Sequence, residues 1–191
     1  MATQLTRKPR VDAERHRARI IEVAREAFSA EGLDVPVREV ARRSQLGVAT
    51  LYRHFPTRQD LTVAVLADSV AECERLMQQA LAEPDAAVAL EMTFRGFSDR
   101  QVRQRGLNEA ILGTHVAGMA FADQRRSHAA SFALLVERAS NSGVLRDGVT
   151  LDDARVALMA IVNFRVLPSE RAGIAIGRLT DVLLAGLLAG D

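Results

Sequence analysis

The sequence predicts an all-α chain with a small three-helix head, a long connecting helix and a larger helical body. Three observations predict it. Helix formers dominate and aromatic residues make up only 4% of the chain, whereas strands lean on aromatic and β-branched residues. Apolar residues recur three and four apart over most of the chain, the helical period. Gly, Pro and Asp punctuate those stretches at intervals that suit helix ends.

The first helix starts after a basic segment, Arg7-Lys8-Pro9-Arg10, which reads as an arm over residues 1–11. Asp12 suits an N-cap, and Glu14 suits the first turn. Ile20, Ala24, Ala27 and Phe28 line one face, and Gly32 ends the helix. Pro36 fits the opening of a short second helix running to Ser44, with Val37, Val40 and Ala41 inward. Gln45-Leu46-Gly47 forms a turn. A third short helix covers Val48 to His54, with Leu51 and Phe55 inward, and Pro56 closes it. The head therefore spans 12–56.

Thr57-Arg58-Gln59-Asp60 reads as a capping box. It opens a helix over 57–83, about 37 Å long at 1.5 Å per residue. Its stripe is Val63, Leu66, Ala67, Val70, Cys73 and Met77. Pro84 stops it and Asp85 caps the next. The body, 84–191, divides into helices at about 86–103, 107–118, 122–142, 152–166 and 170–189, broken at Gly106, Gly143, Asp147-Gly148 and Pro168.

Composition narrows the function classes. The net charge of +1 hides an asymmetry: residues 1–60 hold 12 Arg and Lys against 8 Asp and Glu, and residues 61–191 hold 13 against 16. A basic head on a mildly acidic body suits a nucleic-acid partner. A few charges decide the balance, so it counts only beside a motif. The single cysteine, Cys73, forms no disulfide framework or cysteine metal cage and suits a reducing, cytoplasmic setting. As a small apolar side chain it belongs in a core. The start of the chain lacks the apolar run of a signal peptide. The most apolar runs, 110–122 and 182–190, are too short for a bilayer. No nucleophile elbow, His-Glu-His pattern or phosphate-cradling Gly loop occurs. His115 and His128 lack neighbours at ligand spacing. The expectation is a non-enzyme without metal or cofactor.

Two short helices joined by a tight turn and packed on a longer one make a helix-turn-helix. Its second helix enters the major groove while apolar contacts brace it from behind. Val37, Val40, Ala41, Leu46, Leu51 and Phe55 are the brace. Arg38, Gly47, Val48, Ala49, Thr50, Tyr52, Arg53 and His54 remain to face out. Small Val48 and Ala49 permit close approach and suit a thymine methyl. Tyr52 reads either as a core aromatic or as a half-exposed ring with its hydroxyl on phosphate. Phe55 reads as core.

The stretches Val37-Arg38-Glu39-Val40-Ala41-Arg42-Arg43, Gly47-Val48-Ala49-Thr50-Leu51-Tyr52-Arg53-His54-Phe55 and Arg58-Gln59-Asp60-Leu61 resemble the signature of the TetR family of regulators. The resemblance covers roughly residues 12–75. It implies that Arg38 reads bases or phosphates, that Thr50, Tyr52 and His54 touch phosphates or base edges, and that Arg58 grips phosphate. Two departures stand out. Asp34-Val35-Pro36 lacks the hydroxyl that many members place before the second helix. Gly47 stands where many have Ser or Thr.

The resemblance also implies a homodimer bound to a double-stranded, palindromic operator, with a small-molecule effector releasing it. Its dimer interface is expected from the last two helices of each chain, with Val162, Gly173, Gly177, Leu183 and Leu187 as candidates. An apolar pocket with a few polar anchors is expected around Met92, Phe94, Phe97, Met119, Phe121 and Phe132, with His115 and Arg95 as the polar anchors. Two rivals belong to other classes. One is a helical ligand-binding or interaction protein without DNA binding, which outward Arg38, Tyr52, His54 and Arg58 disfavour. The other is a helical enzyme, which the missing catalytic pattern disfavours.

Overall fold

In a computed structural model, residues 7–104, 119–162 and 169–190 are described. Among them there are eight helices and no strand: α1 (Arg7–Glu31), α2 (Val37–Arg43), α3 (Val48–His54), α4 (Arg58–Ala82), α5 (Ala86–Arg103), α6 (Ala122–Asn141), α7 (Leu151–Val162) and α8 (Ser169–Leu187). The helix expected at 107–118 lies outside the described residues. None of the described helices is long and apolar enough to cross a membrane. The described residues divide into two compact units, 7–69 with 119–120, and 70–104 with 121–162 and 169–190.

In the first unit α1 packs on α2 and α3. Ile20, Ala24, Ala27 and Phe28 of α1 are buried together with Val40, Ala41, Leu51, Phe55, Leu61, Val65 and Leu66. α1 begins at Arg7, not at Asp12. Pro9 permits this, because it falls within the first four residues, whose N–H groups have no partner in a helix. Asp12 is therefore an interior residue, and the arm expected over 1–11 is helical from Arg7 onward. Gly32 ends α1 at φ +86°, its N–H donating to Phe28 O. Val35 is buried behind Pro36, the residue that caps α2.

In the turn between α2 and α3 its only glycine, Gly47, is not the left-handed residue. Gly47 sits at φ −68°, ordinary extended backbone, and caps α3 without a side-chain bond. The left-handed residue is Gln45, at φ +58°. α4 opens as its capping box foretold. Asp60 N donates to Thr57 Oγ1 (3.1 Å), and Thr57 N donates to Asp60 Oδ2 (2.9 Å). The helix is continuous through both units. Leu61, Val65 and Leu66 belong to the first, Cys73 and Ala80 to the second.

The second unit packs α5 against α6, α7 and α8. Its core includes Leu90, Phe94, Phe132, Leu135, Ile161, Ile176, Leu184 and Leu187. Asp85 caps α5 by accepting from Ala87 N and Val88 N. Thr150 and Asp153 form a second capping box, at the start of α7, which the sequence reading missed. Arg138 donates to the carbonyls of Leu81 and Ala80, satisfying the end of α4. The Ser98 and Thr180 hydroxyls meet 2.5 Å apart between α5 and α8, one donating to the other while the second donates to a carbonyl of its own helix.

A non-glycine residue in the left-handed region costs roughly 1–2 kcal/mol, partly offset by its stiffer unfolded chain. Gln45→Gly is expected to raise stability by about 0.5 kcal/mol, read as a higher urea midpoint. A lower midpoint would show that the Gln45 side chain contributes more than its backbone costs.

Candidate nucleic-acid interface

α3 has only seven residues, too few to persist alone in water. Leu51 and Phe55, one turn apart, anchor it and are almost fully buried. Arg17 of α1 places its guanidinium carbon 5.3 Å from the Phe55 ring centroid, covering the anchor's outer side.

Because Leu51 and Phe55 point inward, Val48, Ala49, Tyr52 and Arg53 point outward, in two pairs one turn apart. Val48 and Tyr52 are 42% and 45% exposed, unusual for large apolar side chains in a packed head. Gly47, Ala49 and Arg53 are exposed, and Thr50 is half-buried. On α2, Arg38 is exposed. Among the described residues neither Arg38 nor Arg53 has an ionic partner, so both charges stay available to an anion.

Arg42 and Arg43 differ. Both donate to Glu39, Arg42 Nη2 at 2.7 Å and Arg43 Nε at 2.7 Å, and Arg43 also reaches Glu31. These bonds hold the Glu39 carboxyl down at about 2. The two arginines and two glutamates therefore present little net charge, and their bonds stiffen α2. Arg58 is exposed, but its guanidinium donates to Leu33 O in the loop before α2. It is a loop clasp as well as a candidate phosphate grip.

His54 does not face freely outward. It is half-buried, edge-on to His16 of α1 with centroids 6.4 Å apart. Burial, then the charges of His16 and Arg17, hold its imidazole below the ordinary 6.5. It packs α3 onto α1 and offers one edge to the surface. His16 and Arg17 are missed by sequence reasoning, because their role depends on how α1 crosses α3.

The expected pocket residues differ in burial. Phe94 and Phe132 are buried in the second unit with ring centroids 6.2 Å apart, so each fills the other's space. Phe97 is half-buried under the Arg100 guanidinium. Met119 is 66% exposed and belongs to the first unit. His115 lies outside the described residues. Met92 is exposed, Phe121 is buried, and Arg95 is exposed and bridged to Glu91 and Asp181. A surface cleft of about 360 Å³, lined by residues including Arg95, Arg146, Asp181 and Ala185, touches none of the expected aromatic residues.

The expected dimer residues need correction. Leu187 is 7% exposed and Leu183 packs against the same core, so both serve the folded unit itself. A Cβ on Gly173 would lie 3.6 Å from Val102, so this glycine faces α5. A Cβ on Gly177 would meet nothing within 4 Å. The side chain of Val162 lies outside the described residues. The outward apolar side chains are Val156 and Met159 of α7 and Ile174 and Val182 of α8, all more than half exposed. Spacing carried the signal: Ile176, Thr180, Leu184 and Leu187 form the inward stripe, which leaves Ile174 and Val182 opposite.

Residues 20–65 match the family model described as bacterial regulatory proteins of the tetR family. Residues 84–189 match the C-terminal domain of SbtR-like transcriptional regulators. An HTH-type transcriptional regulator of Staphylococcus aureus is 38% identical over 58 residues, 30% of this chain and 31% of that relative. The match thus spans under a third of that relative's length. A TetR regulatory protein from Mycobacterium vanbaalenii is 31% identical, with a TM-score of 0.63, over 95% of this chain and 99% of that one. A TetR regulator from Streptomyces coelicolor is also 31% identical, with a TM-score of 0.63, over 92% and 99%. A tetR-family regulatory protein from Rhodococcus, at 20% identity and TM-score 0.71 over 92% and 98%, shares the fold.

The depressed imidazole of His54 sets a pH dependence. Its folded value lies below the ordinary 6.5, so the unfolded chain takes up the proton first. His54 therefore favours folding above pH 6.5 and loses that advantage as pH falls through the folded value. His54→Gln is expected to flatten the fall in urea midpoint between pH 7 and pH 5. An unchanged slope would assign the fall to other groups.

Proposed function

The chain belongs to the TetR family of DNA-binding transcriptional regulators, and we propose that it acts as a homodimeric repressor that leaves a palindromic operator when a small molecule binds its body. The observation that carries the DNA reading is the outward face of α3. Val48, Ala49, Tyr52 and Arg53 stand on a helix clamped from behind by Leu51 and Phe55. Val48 and Ala49 bring backbone and base edges close, and Ala49 suits a thymine methyl. Arg38 and Thr50 lie where base edges or phosphates would be reached. Tyr52 offers a hydroxyl to phosphate, with Arg53, Arg58 and the exposed edge of His54 completing the grip.

One seven-residue recognition helix reads too few base pairs to select a site in a genome, so the reading requires two-fold symmetry. The two recognition helices would then stand about 34–36 Å apart or at a multiple of the helical turn. The dimer surface best supported is the outward face of α7 and α8, with Val156, Met159, Ile174 and Val182, rather than Leu183 and Leu187. Four large apolar side chains on adjacent helices expose more than a lone domain needs. Gly177 leaves room for a second backbone. An effector would bind the non-operator form more tightly, and DNA would weaken effector binding by the same factor.

A gel shift with the DNA upstream of the protein's own gene tests the reading. Affinity is expected to fall steeply with salt, because each phosphate contact releases counterions. A flat response between low and moderate salt would contradict it. Arg38→Ala and Thr50→Ala are expected to relax site preference by about 1–3 kcal/mol. Arg58→Ala should weaken all sequences alike and lower the salt slope by about 1. A selection returning the same preferred site for the first two variants would remove them from base reading.

The interface is tested separately. Ile174→Glu and Val182→Glu are expected to give folded monomers that bind the operator poorly. Leu187→Glu should instead unfold the second unit, since burying a charge costs several kcal/mol or more. Light scattering that finds dimers of both surface variants would move the interface elsewhere.

A further inference from the structure

At one end of the second unit the apolar core gives way to polar side chains. Phe94 and Phe132 meet inside the core. From Phe132 toward the start of α6, His128 and Gln124 follow at successive turns. From Phe94 toward the end of α5 come Phe97, Arg100, Gln101 and Gln104. Cys73 of α4 lies against both His128 and Arg100. Arg100 and Gln101 are 4% and 5% exposed, well beyond the usual burial of such residues.

Four polar atoms here are buried and meet no hydrogen-bonding partner: Gln101 Nε2, Gln104 Oε1, Gln124 Oε1 and His128 Nε2. Each has given up water without replacement, which opposes folding. Two α-helices contribute them, and they gather at one end of one core. Packing alone gives no reason to keep four such groups where leucines would fit.

We propose that this polar end is the effector site and that its effector is a small organic acid carrying hydroxyl or amino donors; this rests on the reading of the chain as an effector-responsive regulator. The donor set points to the acid. The Arg100 guanidinium supplies charge, and Gln101 Nε2 supplies N–H groups. His128 adds another donor. The hydrogen bond to Cys73 raises its imidazole above the ordinary 6.5 against the opposing effect of burial. The two orphan amide oxygens, on Gln104 and Gln124, require donors from the ligand, which a hydroxyl or amine supplies. The Phe97 ring, with Arg100 over it, offers an apolar wall for the ligand's body.

A carboxylate suits this charge better than a phosphate. Glu72 accepts from Gln104 Nε2 at 3.1 Å and from Arg103 at 3.4 Å, so a carboxylate already stands at the edge of the site. A dianion would face that repulsion. Cys73 stands on α4, the helix whose Leu61 and Val65 lie in the core of the first unit, so an occupant bearing on it bears on that helix.

The test uses the purified full chain with D,L-3-phenyllactate, D,L-mandelate and the neutral amide of each. The acids are expected to raise the melting temperature and the amides are not. At about 100 times its Kd, an acid leaves about 1% of chains free, so iodoacetamide should alkylate Cys73 about 100-fold more slowly. Gln101→Leu removes an orphan donor, so it should raise the melting temperature of the free protein while abolishing the response to acid. A merely structural Gln101 would lower it. The proposal is overturned if neither acid shifts the melt, if amides act as well as acids, or if Gln101→Leu keeps the full response. Acids that bind but leave operator affinity unchanged overturn the effector role. Failure of the acid-free protein to shift DNA at all would instead count against the regulator reading.

Discussion

The burial of Leu51 and Phe55 against α1 and α2 is the constraint on which the candidate interface depends. A helix of seven residues forms one nucleation turn and little more, so its backbone bonds do not hold it. Two large side chains, each contributing roughly 1.5–3 kcal/mol on burial, hold it instead. They also fix its rotation. Once Leu51 and Phe55 point inward, the helical period leaves Val48, Ala49, Tyr52 and Arg53 no choice but to face out. Arg17 over Phe55 and His16 beside His54 extend the same clamp to the outer side of α3.

Charge in the head is divided by its partners. Arg42 and Arg43 are held by Glu39 and Glu31, and they act as struts of α2. Among the described residues Arg38 and Arg53 have no ionic partner, which leaves their charge to an external anion. A count of basic residues over 1–60 does not separate these two groups, although they differ in what they can do for a phosphate. Arg58 falls between them, exposed yet bonded to the Leu33 carbonyl.

The second unit shows the same principle in a larger core. Its apolar part is closed by Phe94, Phe132 and Leu135, and its α7–α8 surface keeps Val156, Met159, Ile174 and Val182 outside. Its far end holds orphaned amides and an imidazole beside a buried arginine. Partner surface and polar end are thus separate features of one unit, each marked by a departure from what a lone domain would bury.

The sequence by itself determined the helices and most of their ends. Period, caps and glycines placed α2 to α5 within a residue or two, because those signals act within a single turn. It also put Val48, Ala49, Tyr52 and Arg53 outward, since Leu51 and Phe55 suffice for that, but it put Thr50 and His54 outward too, and both are half-buried. Other features waited for the tertiary structure. The start of α1 at Arg7 went unread because Pro9 looks like a breaker yet is harmless in a first turn. The left-handed Gln45 went unread because glycine is the default at such turns. Leu187 looked like interface and is core, and Leu183 packs against that core, because apolarity says a side chain is buried and only packing says against what. The polar cluster of Cys73, Arg100, Gln101, Gln104, Gln124 and His128 was invisible for the same reason: its members lie up to 55 positions apart, and only the packing of α4, α5 and α6 brings them together.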